Sequence, residues 1–447
     1  MNHKKTKLFH NRSSSKEFLL YKTDAKPKKD TAEALSSVEM NRILKALPDI
    51  LVGKIFIENA LARFETSEKF ESMVIKIDRL NHEGSETAGN DKIGIWLDVA
   101  NVIDTICKRE NGMWGRLDQG MLGCFFSPPN QTSSLEFAKK IKKTLSESTD
   151  DTISIGIASY PTLTFTRSQI IDNAVKALDH AAFFGPDSIV SFDAVSLNIS
   201  GDNLYQNGDI DGAIAEFKTA LLLDPSDVNI RNSLGVCYGI LGDYKGAMKE
   251  FEASLRLDPN EVMAVYNIGL LNMLNGKTDD ALKYFLDADR KKEEDIFEVA
   301  FQIGRVYLDM GKSEMAKEFL EKAVKLNPGS WSALNSLGEC CTALNMTDEA
   351  ISAYKKAIRQ NPNDAEALSA LGCLFDLLGE NPEITTIFCQ QSIDIEPENG
   401  LYRYRLGSLF LKRNQLEDAL IQFQKAHDLG YDARKMIKKI KKLIKDG

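Results

Sequence analysis

The side chains best able to do chemistry in this 447-residue sequence are its cysteines, histidines, serines and carboxylates. Their spacing decides what that chemistry could be. The seven cysteines (Cys107, Cys124, Cys237, Cys340, Cys341, Cys373 and Cys389) are odd in number and contain no CxxC pair. Neither a disulfide framework nor a zinc site is expected from that usage, and a reducing cytoplasm fits it best. The histidines, His3, His10, His82, His180 and His427, are scattered and form no ligand pair. Ser154 and Ser168 have no evident His/Asp set, so no nucleophilic triad is expected. Asp78 closes an apolar run and Asp118 opens a short polar one, and aspartates in such places commonly bond local backbone. Residue types and spacing therefore point to no metal and no cofactor.

The elements that would position these residues alternate between strand and helix from about Glu71 to Asp193. Ser72 to Asp78 (SMVIKID) reads as a strand and Asp91 to Arg109 as an apolar-striped helix. Gly112 to Asp118 and Gly120 to Phe126 read as a hairpin turning at Asp118-Gln119-Gly120. Ser134 to Ser146 is expected to be helical, Thr152 to Ala158 (TISIGIA) a buried strand, Ser168 to Phe184 a helix and Ser188 to Phe192 a last strand. That order predicts an α+β domain with one mostly antiparallel sheet, entered through two helices over residues 31–69 that Pro48 interrupts. Trp96 and Trp114 are expected in its core.

The second half of the chain is built differently. Val228 to Glu261 reads as two short amphipathic helices, with Leu234, Gly235 and Tyr238 on the first, Gly242-Asp243 at the turn, Ala247, Phe251, Ser254 and Leu257 on the second, and Pro259 as the stop. Sliding this template along the chain finds it seven times, over residues 194–227, 228–261, 262–295, 297–330, 331–364, 365–399 and 400–433. Each unit has an apolar face that only a stacked neighbour can bury. The sixth departs most, with Pro382 and Ile384 where the others begin a clean second helix. Arg434 to Lys445 follows as a lysine-rich amphipathic helix that suits the cap of such an array.

Leu-Gly, Tyr, Ala, Phe, Ala and Pro at fixed offsets resemble the tetratricopeptide repeat (TPR) family. The resemblance implies a superhelix of helical hairpins whose concave face, lined by first helices, holds a peptide or protein segment. By that register the groove would be lined by Asn198, Asp202, Asn232, Val236, Tyr266, Leu270, Phe301, Arg305, Asn335, Glu339, Tyr404 and Ser408. The lysine and asparagine set with which some members clamp a terminal carboxylate is not found.

TISIGIA, together with Ala174, Ala177, Leu178, Ala181 and Gly185 before Ser188-Ile189-Val190, makes the front segment similar to the GGDEF family of bacterial diguanylate cyclases. In that register the family's metal-binding aspartate falls on Lys76 and the signature acid on Gly120, and the signature itself reads Asp118-Gln119-Gly120-Met121-Leu122. The phosphate-contacting lysine and arginine of the tail fall on Ala182 and Pro186. The resemblance therefore implies a GGDEF-type fold without the charges that hold metal and triphosphate. A shifted pair, Asp78 with Asp118, would be the one remaining way to hold a metal, opposed by Lys76. The family's RxxD inhibitory motif keeps only its arginine, as Arg109.

A hydrophobic fraction of 43% and a charged fraction of 27% are ordinary for a globular protein, and no run approaches a membrane span. The net charge of −9 is unevenly placed: residues 1–30 and 434–447 are basic, so the body between them is strongly acidic and disfavours nucleic acid. The expected layout is a disordered basic leader (1–30), a degenerate GGDEF-like α+β domain with leading helices (31–193), an all-α solenoid of seven TPR hairpins (194–433) and a basic capping helix (434–447). The expected function is a cytoplasmic protein-interaction scaffold in bacterial signalling or complex assembly, its front domain a dimerising or docking pseudoenzyme. Two alternatives stay open: a receptor for GTP or cyclic di-GMP, and a residually active cyclase.

Overall fold

The computed structural model describes residues 42–43, 45–81, 89–117, 120–127, 134–291 and 294–446. The basic leader, the first of the two leading helices before residue 42, and the turn residues Asp118 and Gln119 lie outside them.

The front domain is a five-stranded sheet of β1 (Phe70–Ile77), β2 (Met113–Arg116), β3 (Leu122–Phe126), β4 (Ile153–Tyr160) and β5 (Ile189–Ser191), in the order β2-β3-β1-β4-β5. Every pairing is antiparallel except β4 with β5. The central strand buries both faces, as an unbroken apolar run such as Met73-Val74-Ile75 requires. One face packs against α2 (Gly89–Arg109) and α3 (Ser134–Ser146) around Trp96, Ile103 and Ile141. The other carries α1 (Gly53–Arg63) and α4 (Ile170–Ala181) around Phe56, Phe70, Phe125 and Ala174. Trp96 is wholly buried, whereas Trp114 is half-exposed and donates its indole N–H to Asp104 Oδ1 at 2.9 Å.

The helices that follow come in pairs: α5 (Ala194–Gln206) with α6 (Ile210–Leu223), α7 (Val228–Ile240) with α8 (Tyr244–Leu257), α9 (Val262–Leu274) with α10 (Thr278–Lys291), and α11 (Phe297–Asp309) with α12 (Ser313–Leu326). Then come α13 (Trp331–Ala343) with α14 (Thr347–Gln360), α15 (Ala365–Leu377) with α16 (Pro382–Ile395), α17 (Gly400–Lys412) with α18 (Leu416–Asp428), and α19 (Arg434–Asp446). Within a pair, the glycine of the first helix admits the ring of the second: a β-carbon on Gly235 would lie 2.5 Å from Phe251 Cε1. The same approach recurs at Gly201 with Phe217, Gly269 with Phe285 and Gly338 with Tyr354. In the sixth pair the neighbour is a thiol instead, Cys389 Sγ against Gly372, and Pro382 begins α16 cleanly at its first turn, where proline is tolerated. The last helix buries Ile440 in a cluster with Ala419, Phe423 and Ala433.

The chain divides into two compact units, Met1–Ala264 and Val265–Gly447. The division falls inside α9 and not at residue 193, where the change of architecture had suggested it. The reason is the join between sheet domain and first hairpin, which has no linker. Asp193 follows β5 by two residues and already caps α5, accepting from Ser196 N at 2.8 Å. Lys176 on α4 forms an ion pair with Glu216 on α6 at 2.6 Å, both partly buried, and Phe165 and Phe192, edge to face with each other, pack against the core of the first hairpin.

Candidate functional site

Two places could carry function: the sheet end reached by β1 and the β2–β3 hairpin, and the inner face of the helical pairs. At the sheet end, Asp78 begins a single helical turn, Asp78–Asn81. Its Oδ1 accepts from Ser154 Oγ at 2.7 Å, and its Oδ2 accepts from Thr152 Oγ1 at 2.8 Å and from the backbone N–H of Asp187 at 2.8 Å. Three donors on two oxygens tie the end of β1 to the start of β4 and to the loop before β5. A cation would have to displace them, so this carboxylate serves the backbone as a clasp. Gly120 adopts a left-handed φ of 79° beside Met121 and Leu122, and Leu122 is buried. A cleft of about 440 Å³ opens at the same end, lined by Lys142, Asp151, Thr152 and Asp187. Three of its charged groups are paired locally, Lys142 with Asp187 at 2.9 Å and Asp151 with Arg79 at 3.5 Å. Arg109 stands exposed at the C-terminal end of α2, where a cation complements the helix dipole.

The inner-face register fares unevenly. In the first unit Asn198 and Asp202 are half-buried, but Asn232 and Val236 are fully buried. In the second, Tyr266 and Leu270 are 0% and 1% exposed and Phe301 is nearly as enclosed, so these three belong to the core and cannot line an open groove. The Tyr266 ring packs against Phe285 at 5.4 Å, and α9, apolar but for Asn267 and Asn272, is buried from Met263 to Asn272. Register fixes which way a side chain points; how tightly neighbouring helices close over it depends on its size and polarity.

What the second unit leaves open is polar. Arg305 on α11, Glu339 on α13, Glu366 on α15 and Arg405 on α17 reach solvent from the first helices of four successive pairs, with half-exposed Tyr404 and Ser408 beside them. Asn335, 8% exposed, donates Nδ2 to Glu366 Oε2 at 3.2 Å, and Arg405 donates to Ser369 Oγ at 3.0 Å. Although solvent reaches Glu339, the surrounding helices desolvate its carboxyl and raise its pKa, and the charge of Glu366 raises it further; Arg305 and Arg405 act in the opposite sense.

Models of the tetratricopeptide repeat match residues 200–262, 240–296 and 301–365, and a second such model matches residues 353–385. Residues 200–385 are tetratricopeptide repeats. The matches begin past the sheet domain. No curated protein matches the chain. Among solved structures, YrrB, described as a TPR protein with an unusual peptide-binding site, is 22% identical over 42% of this chain and 95% of its own, with a TM-score of 0.37. A tetratricopeptide repeat protein from Parabacteroides merdae is 18% identical over 56% of this chain and 98% of its own (TM-score 0.40). PilF of Pseudomonas aeruginosa is 21% identical over 47% and 95% (TM-score 0.44).

The fold also brings together residues that spacing did not. His180 on α4 places Nδ1 3.3 Å from Ser196 Oγ and 3.4 Å from Asp193 Oδ1, while Ser196 Oγ donates to Asp193 at 2.9 Å. Asp193 and Ser196 form the capping box of α5, with the serine held by the cap and buried, and His180 packs against that box. In the sixth repeat Cys373 and Cys389 share a hydrogen bond, which draws the Cys373 thiol down to about 7, helped by Arg405 and Lys412, and pushes Cys389 up. Only the fold, by setting α4 against α5 in the one case and pairing α15 with α16 in the other, could reveal these contacts. Among the described residues, no helix is long and apolar enough to cross a membrane.

Proposed function

We propose that the protein is an interaction scaffold whose second unit holds an extended segment of a partner protein against the first helices of its tetratricopeptide repeats. The observation that carries this reading is the row of Arg305, Glu339, Glu366 and Arg405, charged side chains presented on one helix of each of four successive hairpins. Folding alone gives no reason to keep a carboxyl such as Glu339 in a place that raises its pKa. The front domain we read as a GGDEF-like module that does no cyclase chemistry. Lys76 stands where the resemblance puts the family's metal-binding aspartate, and the carboxylate of Asp78 is engaged by three donors. Rigidly joined to the first hairpin through Lys176 and Glu216, it serves as a docking or dimerising base in a signalling or assembly complex.

The test is site-specific photo-crosslinking of the full chain in its host. A photoreactive phenylalanine at Tyr404 is expected to capture a discrete partner segment, and one at the outward Lys356 of α14 is not. Equal capture at both sites, or at neither, would refute the groove reading. Calorimetric titration with GTP and magnesium, and separately with cyclic di-GMP, checks the front domain. Heat of binding would make it a nucleotide receptor, and any cyclised product would make it an enzyme.

A further inference from the structure

We infer that the inner face of the fifth and sixth repeats is a seat for a basic side chain of the bound segment, formed by Glu339, Glu366 and the amide carbonyl of Asn335. This rests on the groove reading above and specifies what that groove selects.

Three features of the site are independent of one another. The first is a pair of acids without an ion-pair partner among the described residues. Burial and the neighbouring Glu366 both raise the Glu339 carboxyl, so the two charges interact unfavourably in the free protein. Arg305 and Arg405 soften this from either side, yet among the described residues neither forms an ion pair with either glutamate, and Arg405 spends a donor on Ser369.

The second is Asn335, more than nine-tenths buried, whose Nδ2 donates to Glu366 while its Oδ1 is enclosed without a donor. Turning the amide over would satisfy nothing, because it would set the carbonyl against the carboxylate. A buried acceptor beside two carboxylates therefore lacks a proton donor. Leaving it so carries a desolvation penalty that a bound donor would remove.

The third is the chemistry of the donor that would fit. No three histidine, cysteine, aspartate or glutamate side chains among the described residues converge closely enough to hold a metal ion. Acceptors spread over two helices suit an organic cation with several N–H donors. A guanidinium offers five in a planar fork, and an ammonium offers three. Asp364, the buried N-cap of α15, adds negative charge close to Glu366, and its Oδ2 is likewise enclosed without a partner. Arg305 and Arg405 flank the seat, but its centre, at Asn335 Oδ1 and the two carboxylates, offers acceptors, so it favours a side chain by charge and by donor count.

The experiment uses the full-length protein on two matched arrays of immobilised random-sequence peptides, one containing arginine and the other citrulline, its neutral isostere, at the same positions. Peptides retained from the first array are expected to lose about tenfold in affinity when arginine becomes citrulline. The Glu339→Gln/Glu366→Gln double variant is expected to hold both versions equally. Wild-type protein that retains peptides without regard to arginine or citrulline overturns the basic seat and leaves the groove standing. Retention of no peptide from either array overturns the groove reading itself. The citrulline comparison needs no variant, and a melting curve of the double variant shows whether its loss reflects the seat or the fold.

Discussion

A β-carbon on Gly235 would fall 2.5 Å from Cε1 of Phe251, so the first helix of the second repeat and the ring of its partner occupy one another's only available space. Gly235→Val is therefore expected to lower stability by about 2–3 kcal/mol through forced separation of α7 and α8. Gly94, inside α2, meets nothing within 4 Å, and Gly94→Ala is expected to raise stability by up to about 1 kcal/mol. Thermal melting of the two variants should move in opposite directions. A loss at both positions would mean that the close approach is not what matters at Gly235.

Asp78 is held by three donors from two segments, the start of β4 and the loop before β5. Asp78→Ala leaves Ser154, Thr152 and the amide of Asp187 without their acceptor and is expected to cost about 2–4 kcal/mol. Added magnesium should leave the wild-type melting temperature unchanged. A magnesium-dependent rise that disappears in the Asp78 variant would restore the metal-holding role.

The Lys176–Glu216 pair is partly buried on both sides. Glu216→Ala strands the ammonium and is expected to cost about 3 kcal/mol. Replacing both residues together with Met and Leu should cost far less, which a double-mutant cycle would measure. Additive losses would show that the two side chains act separately.

Cys373 is half-exposed, and its thiol is drawn down to about 7 by Cys389 and by the two cations beyond. Iodoacetamide is expected to modify it before the other six cysteines, at a rate that climbs as pH passes through about 7, because the thiolate is the nucleophile. Cys373→Ser removes the fast phase. A labelling midpoint near the ordinary thiol value of 9.0 would contradict the shared hydrogen bond.

The repeats were legible because each depends on a few residues at fixed offsets, and Gly235 with Phe251 shows why. The pair is a steric necessity that must recur wherever the hairpin recurs. The strands of the front domain were legible for a similar reason, since Met73-Val74-Ile75 must be covered on both sides. The groove was not legible to the same depth. Asn335 and Glu339 are one helical turn apart on the same side of α13, yet one is enclosed and the other open. Tyr266 and Leu270 occupy positions that register assigns to a binding face, and they are part of the interior. The capping box of Asp193 and Ser196 is local and readable in principle, but its contact with His180 depends on how α4 meets α5.

The sixth repeat carries sulfur opposite its helix glycine where the others carry a ring or a branched aliphatic chain, so that position contributes less apolar contact between its two helices. Pulled from its C-terminal end, the second unit should yield first at this hairpin. Within the second unit, a partner tugging on the last repeat would lengthen the molecule there before loosening the fourth and fifth hairpins.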